Sequence, residues 1–256
     1  MKRNIFLTAI FMAMVLLLFS FGKCGSGSKD ENASTIVFAT DSTWPPFEFI
    51  DENKEIVGLT IDLVKAIGKE ADFTPEFVST AWDGIFVGLN NSEYHAIASS
   101  VTITEERKQQ VDFSDPYYNA GQVLVMNKDA VGTAQSLSDL VGKKVGAQLG
   151  TQGAFLVEEN KNIELKTYDE IGYAVEELAN GTIDGLVADS PLVSQYVLKN
   201  EKYGDSFVLV GEPMTKEEYG FVARKGNSEI IEKINQGLAT IKENGEYDAI
   251  IAKWIE

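Results

Sequence analysis

Residues 97–118 read IASSVTITEERKQQVDFSDPYY, and the chain is organised around them. A short apolar run passes into a row of small hydroxyl residues. Thr104-Glu105-Glu106-Arg107 then reads as a helix start, with Thr104 placed to cap free backbone N–H groups. Asp115-Pro116 closes the segment, because proline lacks the N–H that regular structure needs. Hydroxyls, free amides at a helix start and one arginine suit a small carboxylate. The amides and the helix dipole favour an anion. A guanidinium fork offers a carboxylate two parallel hydrogen bonds. The alternative is a solvated helix carrying a surface arginine.

Strand and helix signals alternate on both sides of this segment. Upstream, residues 35–40 (TIVFAT) predict a buried strand, which Pro45 and Pro46 prevent from continuing. Leu63, Val64, Ile67 and Ala71 share a helical face. Residues 75–79 predict a strand, Asp83 a helix cap, and residues 95–99 a strand. Downstream, strands are predicted at 122–126, 144–148, 163–168, 184–188, 207–210 and 219–223. Helices are predicted from Ala154, from Asp169 as a cap, and from Ser190-Pro191 with serine as cap. A long amphipathic helix and a shorter one end the chain. This alternation gives an α/β class and predicts parallel sheets flanked by helices.

The chain has 256 residues and a formal net charge of −17, which excludes a nucleic-acid footprint. Lys2 and Arg3 precede the apolar run 5–21, which reads as an export signal. Cys24 is the only cysteine, so no internal disulfide forms. Its place predicts a lipoprotein processing site, with lipid on Cys24 as the membrane anchor, although Lys23 is an unusual neighbour. The expected organisation is a signal and lipoprotein segment at 1–24 and a flexible Gly/Ser-rich tether at 25–34. The folded body runs from residue 35 onward.

Ligands in open α/β sheets bind beyond the carboxyl ends of strands. The loops that fit carry Asp41 and Trp44, then Trp82, then Ser100, Thr102 and Arg107, and in the second half Gln148, Gln152 and Asp189. They offer an anion site, an acid for an ammonium group, aromatic walls and a further acid, which a zwitterion with a side chain would use. Aromatic faces also hold a cation. Each residue has a plainer alternative: Trp44 as a packed loop residue, Trp82 as core, Asp189 as a helper of its helix cap. His95, the only histidine, reads as structural. Catalytic constellations are poor. One histidine and one cysteine leave no Cys–His pair, no cluster has metal-ligand spacing, and no cofactor is implied.

The same residues carry a likeness. From about Thr35 to the end, through DSTWPPFEF at 41–49, VGLTIDL at 57–63, Trp82-Asp83-Gly84, TITEER at 102–107, VDFSDPYY at 111–118, Gly150-Thr151 and 184–189, the chain resembles the extracytoplasmic solute-binding proteins of polar amino acid ABC importers. The resemblance implies a two-lobed periplasmic-binding-protein-like fold of type 2. Each lobe is a sheet flanked by helices, and the chain crosses between lobes twice. Lobe one would be 35–118 and 219–256, and lobe two 119–218, with crossovers near 118–122 and 216–219. It implies that Arg107 holds the ligand α-carboxylate, helped by Thr102 and the backbone near Ser100 and Gln152. Asp189 would hold the α-ammonium, Trp44 and Trp82 would enclose the side chain, and Asp41 would meet its polar end. Gln148 stands where some relatives have lysine, and the pocket then suits arginine, lysine or ornithine. Glutamine or histidine receptors are the alternatives, and a dehydratase-like enzyme on the same fold is a further one. The expected protein is not an enzyme. It acts as an extracytoplasmic monomer, in the periplasm or on the cell surface, with a free amino acid as ligand and an importer permease as partner.

Overall fold

The structure, a computed structural model, describes residues 34–255. The expectations for the signal segment, for Cys24 and for tether residues 25–33 lie outside the described residues. Ser34, expected in the tether, is the first residue of a strand.

The first half contains β1 (Ser34–Thr40), β2 (Thr43–Trp44), β3 (Glu48–Ile50), β4 (Ile56–Val57), α1 (Leu59–Glu70), β5 (Phe73–Ser79), α2 (Ile85–Asn90), β6 (Ala96–Thr102), α3 (Glu105–Gln110) and β7 (Val111–Phe113). The chain then crosses through β8 (Tyr118–Ala120) into β9 (Gln122–Asn127), β10 (Lys144–Gln148), α4 (Gln152–Glu159), β11 (Glu164–Tyr168), α5 (Ile171–Ala179), β12 (Gly185–Asp189), α6 (Ser190–Leu192) and β13 (Phe207–Val210). It returns through β14 (Glu217–Arg224) and ends in α7 (Ser228–Glu243) and α8 (Glu246–Ile255).

Two larger sheets result. One has the order β5-β1-β6-β14-β7 with β8 also on β14, and the other β11-β10-β12-β9-β13. Neither is purely parallel, which corrects the parallel expectation. β14 runs antiparallel to β6, and β9 runs antiparallel to β12 and β13. The parallel βαβ rule holds for β1, β5 and β6 in one sheet and for β10, β11 and β12 in the other, while β14 and β9 run against them. The segment around the prolines does not continue β1. Thr43 and Trp44 instead pair with β3 in a small separate sheet.

Several predicted helix starts shift. α2 follows a 3₁₀ turn at Trp82–Gly84, and Asp83 makes no cap. α4 begins at Gln152 under a Thr151 cap. α5 is preceded by Glu170 without a side-chain cap, and α6 by Asp189, with Ser190 already helical. Thr104 caps α3 as expected, accepting from Arg107 N at 3.1 Å.

Between the crossovers lies an aromatic core. Tyr117 stacks on Phe221 at 4.4 Å, and Phe47 meets Tyr219 edge-on at 5.4 Å. β8 pairs antiparallel with β14, Tyr118 opposite Tyr219. The tail packs on α1, where Trp254 Nε1 and Lys253 Nζ donate to Asp62 at 2.8 and 2.6 Å. It also reaches the second half, because Gln195 Nε2 donates to Ile255 O at 2.8 Å. Gly58 has φ +136°, and a Cβ there would lie 2.1 Å from Phe47 O. That close approach lets the amides of Leu59 and Thr60 bond Pro46 O and Phe47 O, which anchors the Trp44 loop.

Candidate ligand-binding site

The carboxyl ends of the strands converge on one cavity with an empty volume of about 340 Å³. Asp41 and Trp44 follow β1, Trp82 follows β5, Ser99, Ser100 and Thr102 end β6, and Arg107 lies on α3. From the other sheet come Gln148 at the end of β10, Thr151 and Gln152 at the start of α4, and Asp189 at the end of β12.

Arg107 forms one end. Its Nη1 donates to Thr102 O at 2.9 Å, and its Nη2 to Gly150 O at 3.3 Å, across to the other sheet's loop. Its guanidinium carbon lies 5.5 Å from the Trp82 ring centre and 5.6 Å from that of Phe86. Burial lowers its proton affinity somewhat, while Asp189, Glu217 and Glu106 act the other way, and the group stays cationic. Ser100, in the middle of this end, has φ +45°, a strained conformation for a residue with a Cβ. The bulge between Gly220 and Val222 on β14 falls in the register with β6. Ser100 Oγ is buried with no hydrogen-bond partner among the described residues. Thr102 Oγ1 donates to Glu217 Oε2 at 3.2 Å, so its proton is engaged within the protein.

Carboxyls form the other ends. Asp189 accepts from Gln122 Nε2 at 2.6 Å and from the Tyr219 hydroxyl. Burial raises its carboxyl to about 6, with Glu217 adding to the rise and Tyr219, Gln122 and Arg107 opposing it. Asp41 accepts from Thr43 Oγ1 at 2.8 Å and from Gln148 Nε2 at 2.9 Å. Burial raises its carboxyl too, and those two hydrogen bonds hold the rise back. Trp44 Nε1 is buried and has no partner among the described residues. Across the β2–β3 pair from Trp44, Glu48 is wholly buried, and burial drives its carboxyl well above the usual range. Among the described residues no group of acids, histidines and cysteines could hold a metal ion.

All nine residues singled out from the sequence line this cavity. Two have further duties that the sequence hid: Trp82 flanks Arg107, and Gln148 holds Asp41. His95 lies outside the site, where its Nδ1 accepts from Val37 N at 2.9 Å and ties β6 to β1. The sequence reading missed Ser99, Thr151, Gln122, Glu217 and Tyr219. Asp41 N donates to Ser99 Oγ at 2.9 Å, and Thr151 caps α4. The last three sit in or beside the crossover strands. The predicted crossovers at 118–122 and 216–219 were the signal that could have found them, since strands crossing beneath a cleft must face it.

The family of bacterial extracellular solute-binding proteins, family 3, matches residues 36–256. The chain belongs to this family. Among its relatives, the probable histidine-binding protein of Neisseria gonorrhoeae is 34% identical over 96% of this chain and 94% of its own length. The putative ABC transporter arginine-binding protein 2 of Escherichia coli K12 is 36% identical over 88% of this chain and 92% of its own. Among solved structures, an ancestral arginine-binding protein bound to arginine superposes with a TM-score of 0.82. It is 42% identical and covers 87% of this chain and 99% of its own. The mixed sheets flanked by helices are those of the type 2 periplasmic-binding fold. No helix among the described residues is long and apolar enough to cross a membrane.

Proposed function

We propose that this family 3 chain is a non-catalytic extracytoplasmic receptor. It captures a cationic L-amino acid, arginine, lysine or ornithine, between two lobes and delivers it to an ABC importer permease. The lobes are 35–118 with 219–256, and 119–218. The protein acts as a monomer, held to the membrane by lipid on Cys24.

One observation carries the reading: a single cavity holds one half-buried guanidinium, Arg107, and two buried acids on separate strand ends, Asp189 and Asp41. That charge pattern matches a zwitterion with a cationic side chain. Arg107 takes the α-carboxylate, with Ser100 Oγ and the α4 amides behind Gln152. Asp189 takes the α-ammonium. Trp44 and Trp82 wall the side chain, and Asp41, steadied by Gln148, meets its charged end. A ligand touching groups from both sheets binds the closed arrangement better than the open one, and so closes the cleft.

A histidine- or glutamine-binding receptor is the second reading. Gln148 presents Asp41 with a neutral amide, an arrangement a neutral polar side chain could share. Calorimetric titration of the body from Ser34, refolded to strip carried-over ligand, separates the two. Tight one-to-one binding of arginine or lysine, with glutamate silent, supports the first reading, and preference for glutamine or histidine the second. Turnover of prephenate- or arogenate-like substrates would favour an enzyme instead.

A further inference from the structure

Two carboxyls meet at one amide behind the cavity. Gln122, fully buried, donates through Nε2 to Asp189 Oδ1 at 2.6 Å and to Glu217 Oε2 at 3.1 Å. Glu217 receives two more donors, Thr102 Oγ1 at 3.2 Å and Thr215 Oγ1 at 2.7 Å. Every contact it makes is therefore as an acceptor. Asp189 receives Tyr219 on its other oxygen. Among the described residues neither carboxyl has a lysine, arginine or histidine within ion-pairing distance. The guanidinium of Arg107 is engaged with Thr102 O and Gly150 O instead. The charged and titratable groups that act on Asp189 are Tyr219 and Glu217 on β14, Arg107 on α3 and Glu48 on β3.

We infer that Glu217, through the shared Gln122 amide, is a positioning residue that makes capture of the ligand's ammonium group proton-coupled at Asp189. The inference rests on the receptor reading above. With its carboxyl raised to about 6, Asp189 holds a proton below that pH, because it is buried and Glu217 is a like charge one amide away. An arriving R–NH3⁺ supplies the positive charge in its place. The carboxyl O–H bond breaks, the proton leaves to solvent, and the carboxylate pairs with the ammonium; no other bond changes. Gln122 does what a lysine there could not: it bonds both acids while cancelling neither charge.

The test is calorimetric titration of arginine into the body from Ser34 in two buffers of different ionisation enthalpy. With Asp189 at about 6, release at pH 6 should be about half a proton per ligand, and near zero at pH 8. Glu217→Gln should lower the release at pH 6, with burial of Asp189 keeping part of it, while binding at pH 8 stays within about tenfold. A purely structural role for Glu217 would weaken binding equally at both values. The Asp189 carboxyl ¹³C resonance of the wild-type protein, titrated without ligand, gives a readout that needs no variant and no binding; its midpoint is expected near 6. Binding with equal heats in both buffers at pH 6, or a midpoint at the ordinary aspartate value, overturns the coupling and leaves the receptor standing. Silence with every amino acid overturns the receptor reading, and the coupling with it.

Discussion

The side-chain amide of Gln148 donates to the Asp41 carboxyl at 2.9 Å, although the two residues stand at strand ends of different sheets. Its Nε2 also reaches Asp169 O at 2.8 Å, so Gln148 is fixed at both sides. Asp41 is thereby steadied by a neutral partner, and its charge remains for a ligand.

Asp41→Asn should therefore weaken arginine by about 2 kcal/mol or more, the cost of losing one member of a buried charge pair. Glutamine should lose no more than a few-fold. Calorimetry on both ligands decides it, and equal losses would remove the assigned role.

Arg107→Ala should weaken every amino acid, by a few kcal/mol. The same change frees Thr102 O and Gly150 O and removes the cation between Trp82 and Phe86. Unchanged affinity across a panel of side chains would mean that the α-carboxylate sits elsewhere.

Asp189 links stability to pH. Its carboxyl rises from 3.8 to about 6 on folding. A raised value means that the folded state holds the proton more tightly. The stabilisation is full below about 4 and disappears as pH climbs past about 6, an effect of about 2–3 kcal/mol. Asp189→Asn has no such dependence. Relative to wild type, the ligand-free variant should gain stability in urea melts at pH 8 and gain little at pH 4, while it loses the ammonium partner. A gain of the same size at both values would contradict this.

Gly58→Ala should destabilise the body by about 2–4 kcal/mol. The new Cβ would sit at φ +136° and 2.1 Å from Phe47 O, a backbone atom that cannot swing aside. Because that carbonyl anchors the Trp44 loop, affinity should fall as well. A wild-type melting curve would refute it.

The longer strands, most helices and the nine cavity residues were legible because each leaves a local mark: alternation, a cap, a breaker at a strand's end; the short strands β2, β3, β4, β7 and β8 leave none and were not read. The mixed character of the sheets was not, since a strand's direction depends on where the chain re-enters, and β14 looks locally like any buried strand. Glu217 and Gln122 were hidden for a related reason. A glutamate beside Glu218 reads as surface, and a glutamine before an apolar run as a strand edge; only the crossing of the two segments brings them together. Asp83 and Asp169 misled because an acid before a helix is a frequent cap. Here Asp83 makes no cap, and Asp169 lends only its carbonyl, to Gln148.

The pairing of β8 with β14 has a mechanical consequence. Two strands bonded edge to edge make a ribbon that flexes across its face yet resists sliding within its plane. On the proposed reading, the molecule then opens as a jaw does, about one axis, and neither lip slips sideways past the other. On the same reading, the bonds of Gln148 to Asp41 and of Arg107 to Gly150 would re-form at each closure and hold recognition to one alignment.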